Sequence, residues 1–395
     1  MAAPTFANAL STHPASGSAE SEVLEALQSA LGGATPDLLV VFVTHHHGAA
    51  LEGLGRRLRA ATGAQHLIGC SAEAVIGPSR EAEGEPGLSI LAACLPETEL
   101  RAFRAVTVAD SDGDLEIDGG PTILDPSLAS TLVFGEPFSF AAELFLERFN
   151  RDWPCVAAVG AMASGGRGPG QNLLLLDDEV FDDGAVGLAL EGPHEIAPVV
   201  SQGCRPVGEP WVVTKVVENR ILELAGRSAL DVLSETLTKI PDEDRELLER
   251  GPFLGLAVDA RKESFERGDF LARGVLGVAR GDRSVVVADE PRRGQTVQFL
   301  VRDAASATED LRSLLAEEAE LFEASSTGAL LLTCNGRGSH LFAEPHHDAL
   351  WLARELSTEL PVAGLFAMGE IGPIDGHNFL HGFTASIGLI RSRRT

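Results

Sequence analysis

The chain has 395 residues, of which 44% are hydrophobic and 23% charged, and its mean hydropathy is +0.09. That composition is globular and excludes a largely disordered chain, and the length predicts two or three domains at roughly 100–200 residues each. With 31 basic and 58 acidic residues the net charge is −27, which repels phosphate backbones and anionic lipid and so argues against nucleic-acid and membrane-surface partners.

A chain of this size buries about 75% of the surface its unfolded form exposes, so no disulfide or metal staple is required. Cys70, Cys94, Cys155, Cys204 and Cys334 are odd in number, widely spread and form no CxxC. They read as free thiols in a reducing cytoplasm. Met1 to Asn8 has neither a basic n-region nor an apolar core, so a secretory signal is not expected. No run of about 18 apolar residues predicts a membrane span.

In chain order, Asp37–Val43 is an apolar β-rich run. Leu51, Leu54, Leu58 and Ala61 follow at helical spacing, and then come the strand-like runs His66–Ala72 and Leu88–Cys94. The unit reads β-α-β-β. A second unit opens with Thr131–Phe134, continues with a helix near Ala141–Phe149 and a strand over Cys155–Ala163, and closes through a Gly-rich hairpin with Asn172–Leu176 and Ala185–Leu190. The proline-rich stretch Pro193–Pro210 predicts the boundary between two halves, 1–200 and 201–395. A degenerate copy is expected next, from Trp211–Val217, a helix over Ser228–Lys239, Phe253–Ala257 and Phe270–Gly277. An amphipathic helix follows over Ala304–Phe322, with Leu311, Leu314, Leu315 and Leu321 on one face and glutamates between them. The last unit runs from Gly328–Thr333 through a helix near Asp348–Thr358 to Val362–Ala367 and Asn378–Ile390.

Three of these units share a detail. The strand after the helix ends in Gly-x-x-Ala, as Gly69–Ala72, Gly160–Ala163 and Gly364–Ala367. Repetition of one supersecondary unit follows. The expected fold class is α/β (mixed α+β), with repeated β-α-β-β units forming two related halves and helices covering the sheets as in a layered αββα sandwich. The small residues mark either a ligand crevice at the strand ends or close approach of another backbone.

The densest polar loop is Met368–Asn378, with Gly369, Gly372 and Gly376. Glu370, between apolar neighbours, would be partly desolvated and suited to binding an amine or guanidinium or to acid–base work; the alternative is an exposed turn carboxylate. His377 and His381 lie in a strand-like run, where residues four apart sit about 13 Å from each other, so they do not share a metal. Each could serve singly as a hydrogen-bonding group, or His381 could be a core histidine. His45, His46 and His47 end a strand, where a metal is one reading. At His346-His347-Asp348, Asp348 reads as a helix-start charge. Arg337 in Cys334–Gly338 could clamp an anion. Cys70 is a candidate nucleophile with no base assignable. GxxxxGK[ST], GxSxG and HExxH are absent.

At Asn335–Gly338, Phe366–Pro373 and Leu380–Ser386 the chain resembles the FIST family, "F-box and intracellular signal transduction" proteins. Leu39–Val43 and Leu67–Ala72 resemble its N-terminal region, and Leu222–Leu230 and Phe299–Asp303 its C-terminal one. The resemblance implies a sensory module for small metabolites such as amino acids, joined in many members to kinase, cyclase or F-box segments. No such segment is visible here, so a separate signalling partner, a kinase or similar, is expected. Some members are haem-binding nitric-oxide sensors, which would require an axial histidine. The expectation is a cytoplasmic sensor whose ligand is held by Glu73, Glu370 and Arg337 through charge. Ser71, Asn335 and Asn378 would add hydrogen bonds, Met368 an apolar wall, and Cys70, His377 and His381 further lining. The alternatives are a haem-based gas sensor, or a hydrolytic or thiol enzyme using Glu370 or Cys70.

Overall fold

The run Leu38–Val43 is apolar at every position, so a strand built from it must be covered on both faces. The computed structural model, which describes residues 3–259, 262, 264–265, 267–320, 322–323 and 326–394, shows how. Leu38, Val40 and Phe42 enter one core, and Leu39, Val41 and Val43 another.

The first repeat comprises β1 (Thr5–Ser11), α1 (Ser16–Leu31), β2 (Leu38–Thr44), α2 (Leu54–Thr62), β3 (His66–Ala72), the hairpin β4 (Val75–Gly77) and β5 (Arg80–Ala82), and β6 (Leu88–Cys94). The second comprises β7 (Glu99–Ala109), β8 (Leu115–Gly119), β9 (Ala129–Gly135), α3 (Ala142–Asp152), β10 (Ala157–Met162), the hairpin β11 (Leu174–Leu176) and β12 (Glu179–Phe181), and β13 (Ala185–Glu191). The third opens with β14 (His194–Gln202) and is then interrupted by β15 (Cys204–Val217), β16 (Arg220–Leu224), β17 (Arg227–Ser228), α4 (Ala229–Lys239), α5 (Asp242–Arg250), β18 (Phe253–Ala257), β19 (Phe270–Ala279), β20 (Ser284–Val287) and β21 (Thr296–Arg302). It resumes through α6 (Ala304–Ala319), β22 (Gly328–Cys334), α7 (His347–Glu355), β23 (Val362–Ala367), the hairpin β24 (Gly369–Ile374) and β25 (His377–His381), and β26 (Thr384–Ser392). Leu321, placed by its spacing on the amphipathic helix, lies outside the described residues.

Each repeat builds the same sheet and gives its hairpin to another. The orders are β1-β6-β2-β3-β11-β12, β8-β7-β13-β9-β10-β24-β25 and β14-β26-β22-β23-β4-β5. The first repeat's hairpin therefore completes the third sheet, the second's completes the first, and the third's completes the second. The inner faces of these sheets share one core, in which Phe42 and Phe134 meet edge to face at 5.3 Å. Helices back the outer faces: Val23, Leu27 and Leu58 on the first sheet, Phe145 and Phe149 on the second, Leu311, Leu315 and Leu352 on the third.

The Gly-x-x-Ala glycines are explained by backbone approach. In the parallel pairs, Gly69 lies opposite Val41, Gly160 opposite Val133 and Gly364 opposite Leu331. A Cβ on them would stand 1.8, 1.8 and 2.1 Å from the carbonyl oxygens of those same partners. No side chain fits there without moving the neighbouring strand.

Two compact units form, with a boundary between Val200 and Ser201 and a return of the chain to the first unit after Asp310. One is Met1–Val200 with Leu311–Leu380 and Thr384–Thr395; the other is Ser201–Asp310 with His381–Phe383. The second unit holds the elements expected of a fourth copy, but not their pairing. β15, β21, β18, β19, β20 and β16 pair in sequence, and β16 pairs back to β15. All these pairs are antiparallel, giving a closed barrel around Val213, Phe299 and Val285 with α4 and α5 contributing Val232 and Leu248. Among the described residues the repeat's parallel pair is absent from this barrel, so it is not a fourth copy. The first half thus carries two repeats, and the second carries one repeat and a barrel.

Candidate ligand site

β3, β10 and β23 are the Gly-x-x-Ala strands, and their carboxyl ends meet at Ser164. Its amide donates to the Ser71 carbonyl at 3.2 Å, its Oγ donates to the Phe366 carbonyl and accepts the Glu73 amide at 2.8 Å, and its carbonyl oxygen lies 3.0 Å from His45 Nε2. A carbonyl only accepts, so His45 donates from Nε2. Gly165, with φ +91°, gives the His45 ring its place: a Cβ there would stand 2.2 Å from it. Two more amides cross the junction, Phe366 to the Ala74 carbonyl at 2.9 Å and Met368 to the Met162 carbonyl at 3.3 Å. One serine thus ties three repeats together.

The predicted residues fall in three places. Glu73 and Met368 face solvent at this junction, Met368 with 45% exposure. Ser71 is buried beneath it, its Oγ accepting the Leu173 amide at 2.9 Å. Cys70 lies in the shared core, where burial pushes its thiol up, away from the reactive thiolate. Glu370 is fully buried on β24, its Oε2 accepting the Thr384 hydroxyl at 2.7 Å and the Thr384 amide at 3.2 Å. Asn378 fastens β25 to its neighbours. Its Nδ2 donates to the Asn150 side chain and the Val156 carbonyl, both at 2.9 Å, and its Oδ1 accepts the Ala158 amide at 2.8 Å. His377 is exposed, and His381 is buried in the other compact unit.

Arg337 and Asn335 lie on the loop after β22, where a polar centre forms that the sequence pattern did not announce. Arg337 is 0% exposed. Its Nε and Nη2 donate to Asp348 Oδ2 and Oδ1 at 2.7 and 2.8 Å, the fork geometry that suits a carboxylate. Asp348, at the start of α7, also accepts the Thr333 hydroxyl at 2.6 Å and sits 2.8 Å from His347 Nδ1. The His347 ring stacks on Phe342 with centroids 3.4 Å apart. Burial works against charge on both partners. The Arg337 guanidinium is nonetheless held above its ordinary pKa by Asp348, with Cys334 and Glu370 adding to the field. Asp348, opposed by its own burial, is held well below the usual carboxylate range by Arg337 and His347. The anion expected opposite Arg337 is thus supplied in part from inside the chain. Two buried atoms of this loop have no protein partner, Arg337 Nη1 and Asn335 Oδ1.

The first repeat's hairpin reaches the same centre. Glu83 accepts the Ser339 amide at 3.0 Å and its hydroxyl at 2.7 Å. Glu81 Oε1 accepts the Ala349 amide of α7 at 3.0 Å, while Oε2 is buried with no partner. Burial first, then the neighbouring Asp348, pushes Glu81 up to about 8. The Glu81 amide donates to Nδ1 of His346, whose φ is +63°. Glu81 gave no signal, since it sits in the charged run Arg80–Glu85, whereas Ser164 was marked by its place immediately after a Gly-x-x-Ala.

A haem would need an axial imidazole. His347 has the supporting carboxylate such ligands use, but it is buried against Phe342 and Arg337's partner. No cluster of three or more metal-ligating side chains occurs among the described residues, and no helix among them is long and apolar enough to cross a membrane.

A hairpin-exchanged trio of helix-backed sheets, with buried charge at the carboxyl ends of its parallel strands, defines a mixed α+β protein built from repeats. The FIST N domain matches residues 37–227 and the FIST C domain residues 229–373, and the chain belongs to the FIST family. FIST domains are sensory domains for small ligands, associated with signalling. An uncharacterized protein of Mycobacterium tuberculosis is 37% identical over 380 residues, covering 96% of this chain and 98% of its own. Uncharacterized proteins of Mycobacterium bovis and M. tuberculosis are 37% identical over 359 residues, covering 91% and 92%.

Proposed function

We propose that the chain is a sensor of a small, amino-acid-like ligand, recognised at the loop after β22 and reported to a separate signalling protein in the cytoplasm. The observation that carries this reading is Arg337 Nη1, a buried donor of a charged group that Asp348 leaves unused. An unmade hydrogen bond to a buried guanidinium is costly, and a ligand carboxylate would complete it. Asn335 Oδ1, also buried and unpartnered, would accept an ammonium hydrogen, with Glu370 close enough to act on the Arg337 charge and so on a cation bound nearby.

The test is isothermal titration of the twenty standard amino acids, followed by Asn335→Ala and Glu370→Gln. We expect one or a few to bind, both variants to weaken that binding about tenfold or more, and the fold to survive. Absence of binding by any amino acid removes the amino-acid reading. Unchanged affinity in both variants moves the site elsewhere.

A further inference from the structure

A second polar site, remote from Arg337 in sequence, forms where α1 begins. The helix is preceded by Ala15, which supplies no side-chain cap. The first intrahelical donor is the Ala19 amide, bonded to the Ala15 carbonyl at 3.0 Å. The amides of Ser16, Gly17 and Ser18 therefore lead the helix without a capping side chain, at the positive end of its dipole.

Two imidazoles bond at this end, and a third lies close enough to act on one of them. His13 Nδ1 accepts the Ala15 amide at 3.0 Å, which places the hydrogen of the neutral ring on Nε2. His46 is exposed and lies 3.2 Å from the Thr44 hydroxyl. His47 Nδ1 is 2.9 Å from Oγ of Ser16, the first residue of the helix. Its ring is only 4% exposed, and its Nε2 has no partner. With Ser16 donating to Nδ1, or with the ring protonated, that Nε2 carries a hydrogen and is a buried donor lacking an acceptor. Of the nearby carboxylates on α1, Glu20 is paired with Arg57 at 2.9 and 3.0 Å, while Glu22 keeps its charge and accepts the Ser11 hydroxyl. In a chain of net charge −27, this corner gathers backbone amides and imidazole nitrogens.

We propose that His13, His46, His47 and the first turn of α1 form a binding site for a tetrahedral oxyanion, a phosphate or phosphate monoester. Helix amides and imidazole hydrogens are donors, which suits an anion rich in ionised, accepting oxygens. The anion would also favour the protonated rings. Burial, and then repulsion from His46 and His13, otherwise holds His47 below its ordinary pKa. Binding is therefore expected to tighten as pH falls through the histidine range. This inference does not depend on the Arg337 site.

The test is NMR of the histidine rings in the full chain, titrated with inorganic phosphate near pH 6 and near pH 8 at fixed ionic strength. Acetate and glycerol phosphate serve as comparison arms. We expect saturable shifts of the His47 and His13 signals with phosphate, at least about fivefold tighter at the lower pH, and none with acetate. His47→Gln and His13→Gln should each weaken binding about tenfold, and His340→Gln, at an exposed turn elsewhere, should not. Tighter binding of glycerol phosphate would make an organic phosphate the natural occupant, and equal binding would make it free phosphate. Absence of saturable shifts, equal response to acetate, or retained affinity in a folded His47→Gln or His13→Gln protein would each overturn the proposal. If His47→Gln does not fold, the more exposed His13→Gln decides alone.

Discussion

Glu81→Gln should make the protein more stable in alkali and leave it unchanged in acid. Glu81 is buried on β5, with one oxygen on an α7 amide and the other without a partner, and it holds its proton up to about pH 8. In the unfolded chain it ionises near its ordinary value of 4.5. A folded pKa raised above the unfolded one means that the folded state binds the extra proton between those values. Stability from this group is then fully present below about 4.5 and lost as pH rises toward 8, with a slope of about 1.4 kcal/mol per pH unit. The integrated loss is at most about 5 kcal/mol, and relaxation of the site reduces this to about 2–4 kcal/mol. Glutamine has the shape of the protonated acid and cannot ionise. The variant should match the parent near pH 5 within about 1 kcal/mol and exceed it by about 2–4 kcal/mol near pH 9. Asp348, held well below the usual carboxylate range, stays ionised in both proteins from pH 5 to 9 and cancels. Urea denaturation at four pH values from 5 to 9 measures the difference. A difference that stays constant with pH, or a variant less stable than the parent at pH 9, would refute the reasoning.

Four further outcomes follow from the same geometry. Asp348→Ala strands the Arg337 guanidinium without its partner and should cost about 3–5 kcal/mol in denaturant unfolding. Gly160→Ala drives a methyl into the Val133 carbonyl and should cost about 1–3 kcal/mol, with Gly184→Ala costing more through its φ of +65°. Ser164→Ala removes the tie between the three strand ends and should cost about 1–3 kcal/mol, read as a lowered Tm. Under native conditions iodoacetamide should label Cys155, which is exposed, and spare Cys70 and Cys204, which are buried; mass spectrometry of the peptides shows which were reached.

The sequence carries some of this plainly and hides the rest for physical reasons. The apolar runs at Leu38–Val43 and Gly328–Thr333 announce strands covered on both faces, because no polar residue interrupts them. The three Gly-x-x-Ala endings mark the repeat because only glycine tolerates a carbonyl at 1.8–2.1 Å. The exchange of hairpins is invisible, since β4 and β5 are three residues each and their pattern says nothing of a partner nearly three hundred residues away. The barrel misled for the same reason: Phe253–Ala257 has the composition of a repeat strand, and only its antiparallel neighbours distinguish it. Asp348 reads locally as a helix-start charge, and its role opposite Arg337 depends on how α7 meets the β22 loop.

The circular gift of hairpins has a consequence for how the protein comes into being. β4 and β5 leave the ribosome early, yet the strand they join, β23, is made near the end. Until then the first repeat's hairpin has no edge to occupy, and β3 waits for β11 in turn. Contacts so distant in sequence form slowly, so closure of the ring is expected to be a late event after synthesis. Each third lacks a strand pair that another third holds. A fragment ending at the junction between the two family domains would therefore leave the β10 edge without β24 and the β4–β5 hairpin without β23, inviting aggregation. Co-expression with the missing fragment should restore solubility to both.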